Sequence, residues 1–338
     1  MKKKVLSLVI TCFNEAENIP SMYKRIVSTF KTIPDYDFEA IFVDNTSTDE
    51  SYGLLKKLAV KDRRVKVILM SRNTGSPQPS FIAGMSYASG IGTILLHGDI
   101  QDPPEVIPQF ISKFEKGYDV VYGIRTYRKG VGALWNFYYK AFYFILNKLS
   151  YVKIPIDAGE FSLLSQRVVS TLLSLPEFDY NVRCLRAFVG YKQVGMPYIR
   201  ESRHRGTNTA TFISGIRSAE AMIIDFSFLP MRWMSYIGIL ILILSGLFTV
   251  YDLYRFFSHL AIMTIVPAGT IILMYIAGLQ FMFLSVIGMY LSKIFLDIKG
   301  RPRFIIQETV NLPSHKLYIS RKTASFFHSD YVINRPLI

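Results

Sequence analysis

The residues with the most chemistry to offer lie in 95–105, LLHGDIQDPPE. A hydrophobic run at 93–96 ends at His97 and Gly98. Asp99, Gln101 and Asp102 follow, before Pro103 and Pro104 stop the segment. Carboxylates at the C-terminal end of a strand in an open α/β sheet lie where such sheets take ligands. Oxygen donors from Asp and Gln suit Mg2+ or Mn2+, ions that usually arrive with phosphate. An acidic strand-to-turn loop punctuated by proline has the same composition, so the neighbouring segments must decide between the two.

Those segments form a series. Residues 4–12 read as a near-continuous apolar strand, of the kind buried on both faces in a parallel sheet. Strands are expected again at 38–43, 65–70, 93–96 and 120–123, with helices at about 14–32, 50–62 and 80–89. Alternation of this kind makes βαβ units and a mostly parallel sheet. Each strand ends in polar residues: Asn14 and Glu15, Asp44 and Asn45, Arg72 and Asn73, then Asp99 and Asp102. In a parallel sheet these ends share one edge and form one cleft. No GxGxxG follows the first strand, which argues against a Rossmann dinucleotide site. Asp44 is placed either to accept hydrogen bonds from a ribose or base, or to cap the next helix with Thr46 and Ser47. Arg125, Arg128 and Lys129 follow the strand at 120–123 and suit either phosphate binding or a solvated basic loop.

Further on, 154–161 (IPIDAGEF) carries Asp157 and Glu160, and Arg183 and Arg186 are spaced to share a helix face. Residues 200–211 hold Arg200, Arg203, His204 and Arg205, which suit a phosphate clamp or lid, and equally a basic loop near lipid headgroups. The aromatic stretch 134–149 suits either a membrane interface or a core. The chain has 338 residues, 50% of them hydrophobic, and a net charge of +14. Excess base together with excess apolar content points to an anionic membrane surface before nucleic acid. No nucleic-acid module is visible, and none is expected to bind. Cys12 and Cys184 are far apart and form no CxxC, as for buried thiols in a reducing compartment. The N-terminal lysines and apolar run mimic a signal peptide, but no cleavage site follows and a first strand is the better reading. Residues 233–251 and 260–292 carry no charge. Each is long enough to cross a core roughly 30 Å thick at about 20 residues per helix. Arg217 and Arg232 precede them, and Lys293, Lys299, Arg301 and Arg303 follow. Charge bias of this kind keeps both flanks cytoplasmic, with only a hairpin tip outside. The expected organisation is a cytosolic α/β domain at 1–210 and a juxtamembrane linker at 211–232. Two transmembrane helices (about 233–252 and 264–290) fill 233–292, and a cytosolic segment spans 293–338.

Seven stretches carry a family resemblance: TCFNEAENI (11–19), VDNTSTD (43–49), SRNTG (71–75), GDIQDPPE (98–105), VYGIRTYR (121–128), IPIDAGEF (154–161) and IGMYLSKIFLDIKGRPRF (287–304). In this order they resemble glycosyltransferase family 2. The match is to its membrane-anchored polyprenyl-phosphate branch, similar to dolichol-phosphate mannose synthase and bactoprenol glucosyltransferase. The resemblance implies a GT-A type fold and inverting transfer of a hexose from a UDP- or GDP-hexose to a polyprenyl phosphate. It implies Mg2+ or Mn2+, and a multi-pass protein of a bacterial-type inner (cytoplasmic) membrane. Carried over by position, Asn14, Glu15, Asp44 and Arg72 line the nucleotide-sugar pocket. Asp99 and Gln101 hold the metal, with His97 a further candidate ligand. Arg125 and Arg128 face phosphates. Arg203 and Arg205 meet the acceptor phosphate, and Asp102 or Asp157 orients the acceptor or the sugar. Four positions depart from the family pattern. His97-Gly98-Asp99 stands for Asp-x-Asp, Asn45 for a second Asp after Asp44, Glu160 for Asp in the Gly-Asp-Phe motif, and SPQPS follows Gly75 without a basic residue. Two other readings remain: a processive membrane polysaccharide synthase, for which two helices are few and no QxxRW is present, and a degenerate nucleotide-sugar-binding membrane protein. Whether copies associate through their helices is left open by the sequence.

Overall fold

A computed structural model describes residues 3–126, 152–155, 158–177, 181–201, 227, 229–258 and 265–312. Arg128, Asp157, Arg203, Arg205, the aromatic stretch 134–149 and the tail from 313 lie outside the described residues. The chain divides into two compact units. One is Met1–Tyr143 with Val152–Thr209 and Gly300–Ile338; the other is Phe144–Tyr151 with Ala210–Lys299.

The first unit is built on four strands and the helices between them: β1 (Lys4–Cys12), α1 (Ile19–Lys31), β2 (Tyr36–Asp44), α2 (Ser51–Lys61), β3 (Val65–Met70), α3 (Gln78–Tyr87) and β4 (Gly92–His97). β1 pairs in parallel with β2 on one side and β4 on the other, and β2 pairs in parallel with β3. Leu6, Leu8 and Ile10 of β1 pack in one core with Ile19, Met22 and Ile26 of α1 and Leu55 of α2. Val9, on the opposite face, meets Gly84 of α3. Both faces are covered, which is why β1 reads as a continuous apolar run rather than an alternating one.

After α4 (Ile107–Glu115) comes β5 (Val120–Arg125), but it does not join β4. β6 (Ala158–Ser165) inserts between them, antiparallel to both. α5 (Gln166–Ser174) and α6 (Val182–Phe188) follow, and β7 (Gln193–Tyr198) pairs in parallel with β5. The opposite edge is closed by β8 (Ile306–Val310), antiparallel to β3. Among the described residues the sheet has eight strands in the order β7-β5-β6-β4-β1-β2-β3-β8, and only β6 and β8 oppose the rest. The mostly parallel sheet expected from the βαβ pattern is therefore present. The sequence reading placed no strand at β6 or β7. β6 carries Gly159 and Glu160 at its start, and β7 contains Gly195 and Pro197, residues poor in strand propensity; β7 is an edge strand, where proline is tolerated.

The second unit contains two long helices, α7 (Leu229–Phe257) and α8 (Ile265–Ile298). Large apolar side chains along them, such as Leu247, Leu273, Phe281 and Leu291, are exposed. Among the described residues one stretch, Gly278–Ile298, is long and apolar enough to cross a membrane.

The contact between α3 and the sheet gives a direct test. A Cβ on Gly84 would lie 2.2 Å from Cγ1 of Val9 and 3.2 Å from Cγ2 of Val43, both on stiff β-branched side chains. Gly84→Ala is expected to destabilise the fold by about 1–3 kcal/mol through overpacking, measured as a drop in unfolding midpoint of the purified chain.

Candidate active site

The C-terminal ends of β1, β2, β3, β4, β5 and β7 and the start of β6 share one edge of the sheet. Three non-glycine residues there adopt left-handed backbone: Asn14 (φ 55°), Thr46 (φ 62°) and Ile100 (φ 61°). For a buried, β-branched residue such as Ile100 this conformation is strained by about 1–3 kcal/mol and persists only where its surroundings impose it.

Hydrogen bonds tie the loops to one another. Asn14 Oδ1 accepts from Thr48 N at 2.8 Å, and Asn14 N donates to Ser47 Oγ at 2.9 Å. Glu15 N donates to Ser51 Oγ at 2.9 Å, while the Glu15 carboxylate accepts from Asn18. Asp44 is fully buried and closes a turn, accepting from Ser47 N at 3.0 Å and Ser47 Oγ at 2.5 Å. Burial nonetheless leaves its carboxyl above the usual value, outweighing the hydrogen bonds from Ser47. Asn45 Oδ1 accepts from Thr74 N and Oγ1, both at 3.1 Å, and so joins the second loop to the third. Arg72 is exposed on that third loop. Asn14, Glu15 and Asp44 thus sit on the expected edge, with their side chains bracing it.

The acidic loop is the most constrained part. Asp99 Oδ1 accepts from Gln101 N at 3.2 Å, and Arg200 Nη2 stands 3.9 Å from Asp99 Oδ2. Asp102 has no solvent exposure. Its Oδ1 accepts from the Tyr198 hydroxyl at 2.5 Å and lies 3.4 Å from Arg200 Nε. Its Oδ2 is buried and takes no hydrogen bond among the described residues. Arg125 Nε donates to the Tyr198 hydroxyl at 3.4 Å, so cation, phenol and carboxylate form a relay. The segment after β7 is bound to the loop as well. Glu201 N donates to Gln101 O at 3.0 Å, and Arg25 of α1 bridges Glu105 (2.6 Å) and Glu201 (2.8 Å).

Beside it, His97 Nε2 is 3.5 Å from Glu160 Oε2. Burial disfavours the Glu160 carboxylate. The hydrogen bond and charge of His97, together with Arg183 and Arg125, override it and hold that carboxyl well below its ordinary range. Burial likewise opposes the His97 imidazolium, and Glu160 reverses this and raises the imidazole's pKa. Arg183 and Arg186 do share a helix face. They donate to consecutive carbonyls at the start of β6, Ala158 O (3.3 Å) and Gly159 O (3.1 Å). Arg186 is fully buried over the Tyr122 ring, at 4.7 Å, and burial lowers its guanidinium to about 10.

Among the described residues no group of three or more His, Cys, Asp or Glu is arranged as a cage for a metal ion. A Mg2+ or Mn2+ site does not require one, since such ions are commonly held by one or two carboxylates and the substrate's phosphates. Asp99, and Asp102 with its unpartnered Oδ2, fit that description. Arg25, Tyr198, Arg200 and Glu201 were not singled out individually by motif reasoning. Their partners are far away in sequence, and only Arg200 belonged to a visible basic cluster.

A carboxylate loop at the C-terminal edge of a mostly parallel sheet, with Arg125 and Arg200 beside it, is the candidate active site. Residues 7–173 match Glycosyl transferase family 2. The chain is 32% identical over 312 residues to "Uncharacterized glycosyltransferase YkcC" of Bacillus subtilis (strain 168), covering 92% of this chain and 96% of that one. It is also 32% identical over 307 residues to "Bactoprenol glucosyl transferase" of Shigella phage SfII, covering 90% and 98%. Among solved structures, the mannosyltransferase PcManGT from Pyrobaculum calidifontis, in complex with GDP-Man and Mn2+, superposes with a TM-score of 0.43 at 15% identity. That superposition covers 77% of this chain and 84% of that one. The chain belongs to glycosyltransferase family 2 and is a glycosyltransferase with a GT-A-like α/β fold.

Tyr198→Phe removes a hydroxyl donor from buried Asp102 while keeping the edge-on ring contact to Phe161 at 5.4 Å. It is expected to cost about 1–3 kcal/mol, read as a lowered unfolding midpoint with little change in the circular dichroism spectrum.

Proposed function

We propose that this chain transfers a hexose, with inversion, from a UDP- or GDP-hexose to a polyprenyl phosphate at the cytoplasmic face of a membrane. The observation that carries the reading is the pair of carboxylates, Asp99 and Asp102, on a strained loop at the sheet's C-terminal edge, with Arg125 and Arg200 beside them. The alignment with a bactoprenol glucosyl transferase over 90% of the chain supports the lipid acceptor.

The chemistry asks little of a general base. An acceptor phosphate oxygen, already anionic, attacks the anomeric carbon. The bond from that carbon to the diphosphate oxygen breaks, and the nucleoside diphosphate leaves with the electron pair. What must be supplied is neutralisation of two approaching anions and their alignment. A divalent ion bound at Asp99 and Gln101 would draw charge from the departing diphosphate. Arg125 is held at the edge by Tyr198 and lies against Gly159, where it offers a fixed positive charge to phosphate. Asp102 anchors Tyr198 and Arg200 and so orients the groups that face the donor. Asn14, Glu15, Asp44 and Arg72 line the nucleotide side. Arg128, Arg203 and Arg205 meet phosphate and Asp157 meets sugar or acceptor.

The anchor follows from the acceptor, which is confined to a bilayer. α7 and α8, of 29 and 34 residues, extend about 44 and 51 Å at the α-helical rise, more than the roughly 30 Å hydrocarbon core. In this reading both cross. β8, which follows α8, pairs with β3 in the same sheet as the N-terminal strands. That pairing supports the reading that the N-terminal strands and β8 lie on the same side, with α7 and α8 as a hairpin.

The test is transfer by purified protein in detergent, given undecaprenyl phosphate, radiolabelled UDP- and GDP-hexoses, and Mg2+ or Mn2+ against EDTA. Label is expected in the organic phase, absent with EDTA, and reduced about 100-fold or more by Asp99→Ala. Folded protein that yields no lipid product with any donor refutes the reading. Gly159→Ala would put a Cβ 2.5 Å from Arg125 Nη2, at the movable end of a side chain. Its expected effect is a raised donor KM with an unchanged unfolding midpoint.

A further inference from the structure

Two of the four departures from the family pattern face each other. The β4–β6 ladder runs from Gly92↔Ser165 to Leu95↔Ser162. Continued by two residues on each strand, its register brings His97 opposite Glu160. Backbone pairing has ended there, and the strands are held by side chains. His97 Nε2 meets Glu160 Oε2 at 3.5 Å, and His97 Nδ1 meets Thr11 Oγ1 of β1 at 3.3 Å. The ring stands edge-on to Phe81, centroids 5.2 Å apart. The other Glu160 oxygen accepts from Gln78 Nε2 at 3.3 Å, and Gln78 Oε1 accepts from Val182 N at 2.9 Å. One polar chain therefore links β1, β4, β6, α3 and α6. Both imidazole nitrogens have partners within it, and neither is the metal loop.

We propose that His97 and Glu160 are one coupled positioning pair, and that His97 is not a metal ligand. Two aspartates at this register would set like charges opposite each other, which destabilises a cross-strand pair. Histidine in one strand removes the repulsion, and the longer glutamate reaches it. The pair closes the gap where β4 and β6 separate. It thereby holds the loop bearing Asp99 against the start of β6, whose Ala158 and Gly159 carbonyls are gripped by Arg183 and Arg186. The ion is then left to Asp99, Gln101 and the diphosphate. This last part rests on the nucleotide-sugar reading above; the coupling does not.

The experiment has two arms on the full chain in detergent. The first is a double-mutant cycle in thermal unfolding with His97→Gln, Glu160→Gln and both together. Each single change is expected to lower the midpoint by a few degrees, and the double to lie no lower than the worse single. Within the same arm, His97→Asp is expected to be worse than His97→Gln, and His97→Asp with Glu160→Gln to recover. Additive losses, or no recovery, overturn the coupled pair, since a merely structural histidine would not be rescued at Glu160. The second arm titrates Mn2+ by electron paramagnetic resonance in the presence of UDP or GDP. His97→Gln is expected to stay within about threefold of the unaltered protein, and Asp99→Asn to lose about tenfold or more. Equal losses for the two make His97 a ligand and overturn that half of the proposal. If the unaltered protein holds no Mn2+ with either nucleotide, the nucleotide-sugar reading fails, while the unfolding cycle still decides the pair.

Discussion

β1 is hydrogen-bonded in parallel on both sides, to β2 and to β4, and the site depends on that pairing. Parallel strands deliver all their carboxyl ends to one edge. Each strand from β1 to β4 is joined to the next by a helix that returns the chain to the opposite edge. The chain winds outward from β1 through β2 to β3, then comes back to β4 on the other side. β1 and β4 stay paired to Thr11 and His97, and the connections that leave them run to opposite sides, which is where open sheets of this kind bind ligands. Asp99 and Asp102 follow β4 at that point, and Asn14 and Glu15 follow β1.

Gathering so many carboxylates on one edge is unfavourable, and the fold shows how it is tolerated. Cys12, at the end of β1, registers the crowding. Burial and then the charges of Asp44, Glu15, Asp99 and Asp49 all push its thiol up. Relief comes from partners distant in the chain. Tyr198 and Arg200 reach Asp102 from β7 and the residues after it, and Arg125 comes from β5. Arg25 comes from α1, pairing with Glu105 and Glu201. Buried ion pairs seldom add much net stability, but breaking one leaves an uncompensated charge. Such a network holds one geometry, and a reaction that aligns two anions needs its groups fixed in advance. The left-handed backbone at Ile100 lies in this loop, between Asp99 and Gln101.

The antiparallel β6 is where family pattern and tertiary structure meet. It brings Gly159, whose missing side chain leaves room for Arg125, and Glu160, which answers His97. Gly98, between His97 and Asp99, is constrained in the same way, because a Cβ there would meet Cys12 Sγ at 2.9 Å. The signature stretches around these residues thus encode close packing between strand ends as well as chemistry.

Hydrophobic periodicity and strand-end polarity determined much of this by themselves. The runs at 4–12 and 65–70 are strands with those bounds. The alternation with helices required a mostly parallel sheet, and the polar ends marked one edge. These are local properties, carried by neighbours in the chain, so they can be read from it directly. The short strand expected at 303–308 is β8 at Ile306–Val310. β6 and β7 were decided by tertiary structure: each carries glycine together with a charge or proline, and each becomes a strand by pairing with β4 or β5. The partners of the site residues belong to the same class. Asp44 proved to close a turn on Ser47, Asp102 to lie under Tyr198 and Arg200, and His97 to face Glu160, 63 positions away in the numbering. Residue types and spacing announce that a carboxylate is present. Which cation or hydroxyl meets it depends on side chains brought together by sheet register, and no local pattern records that.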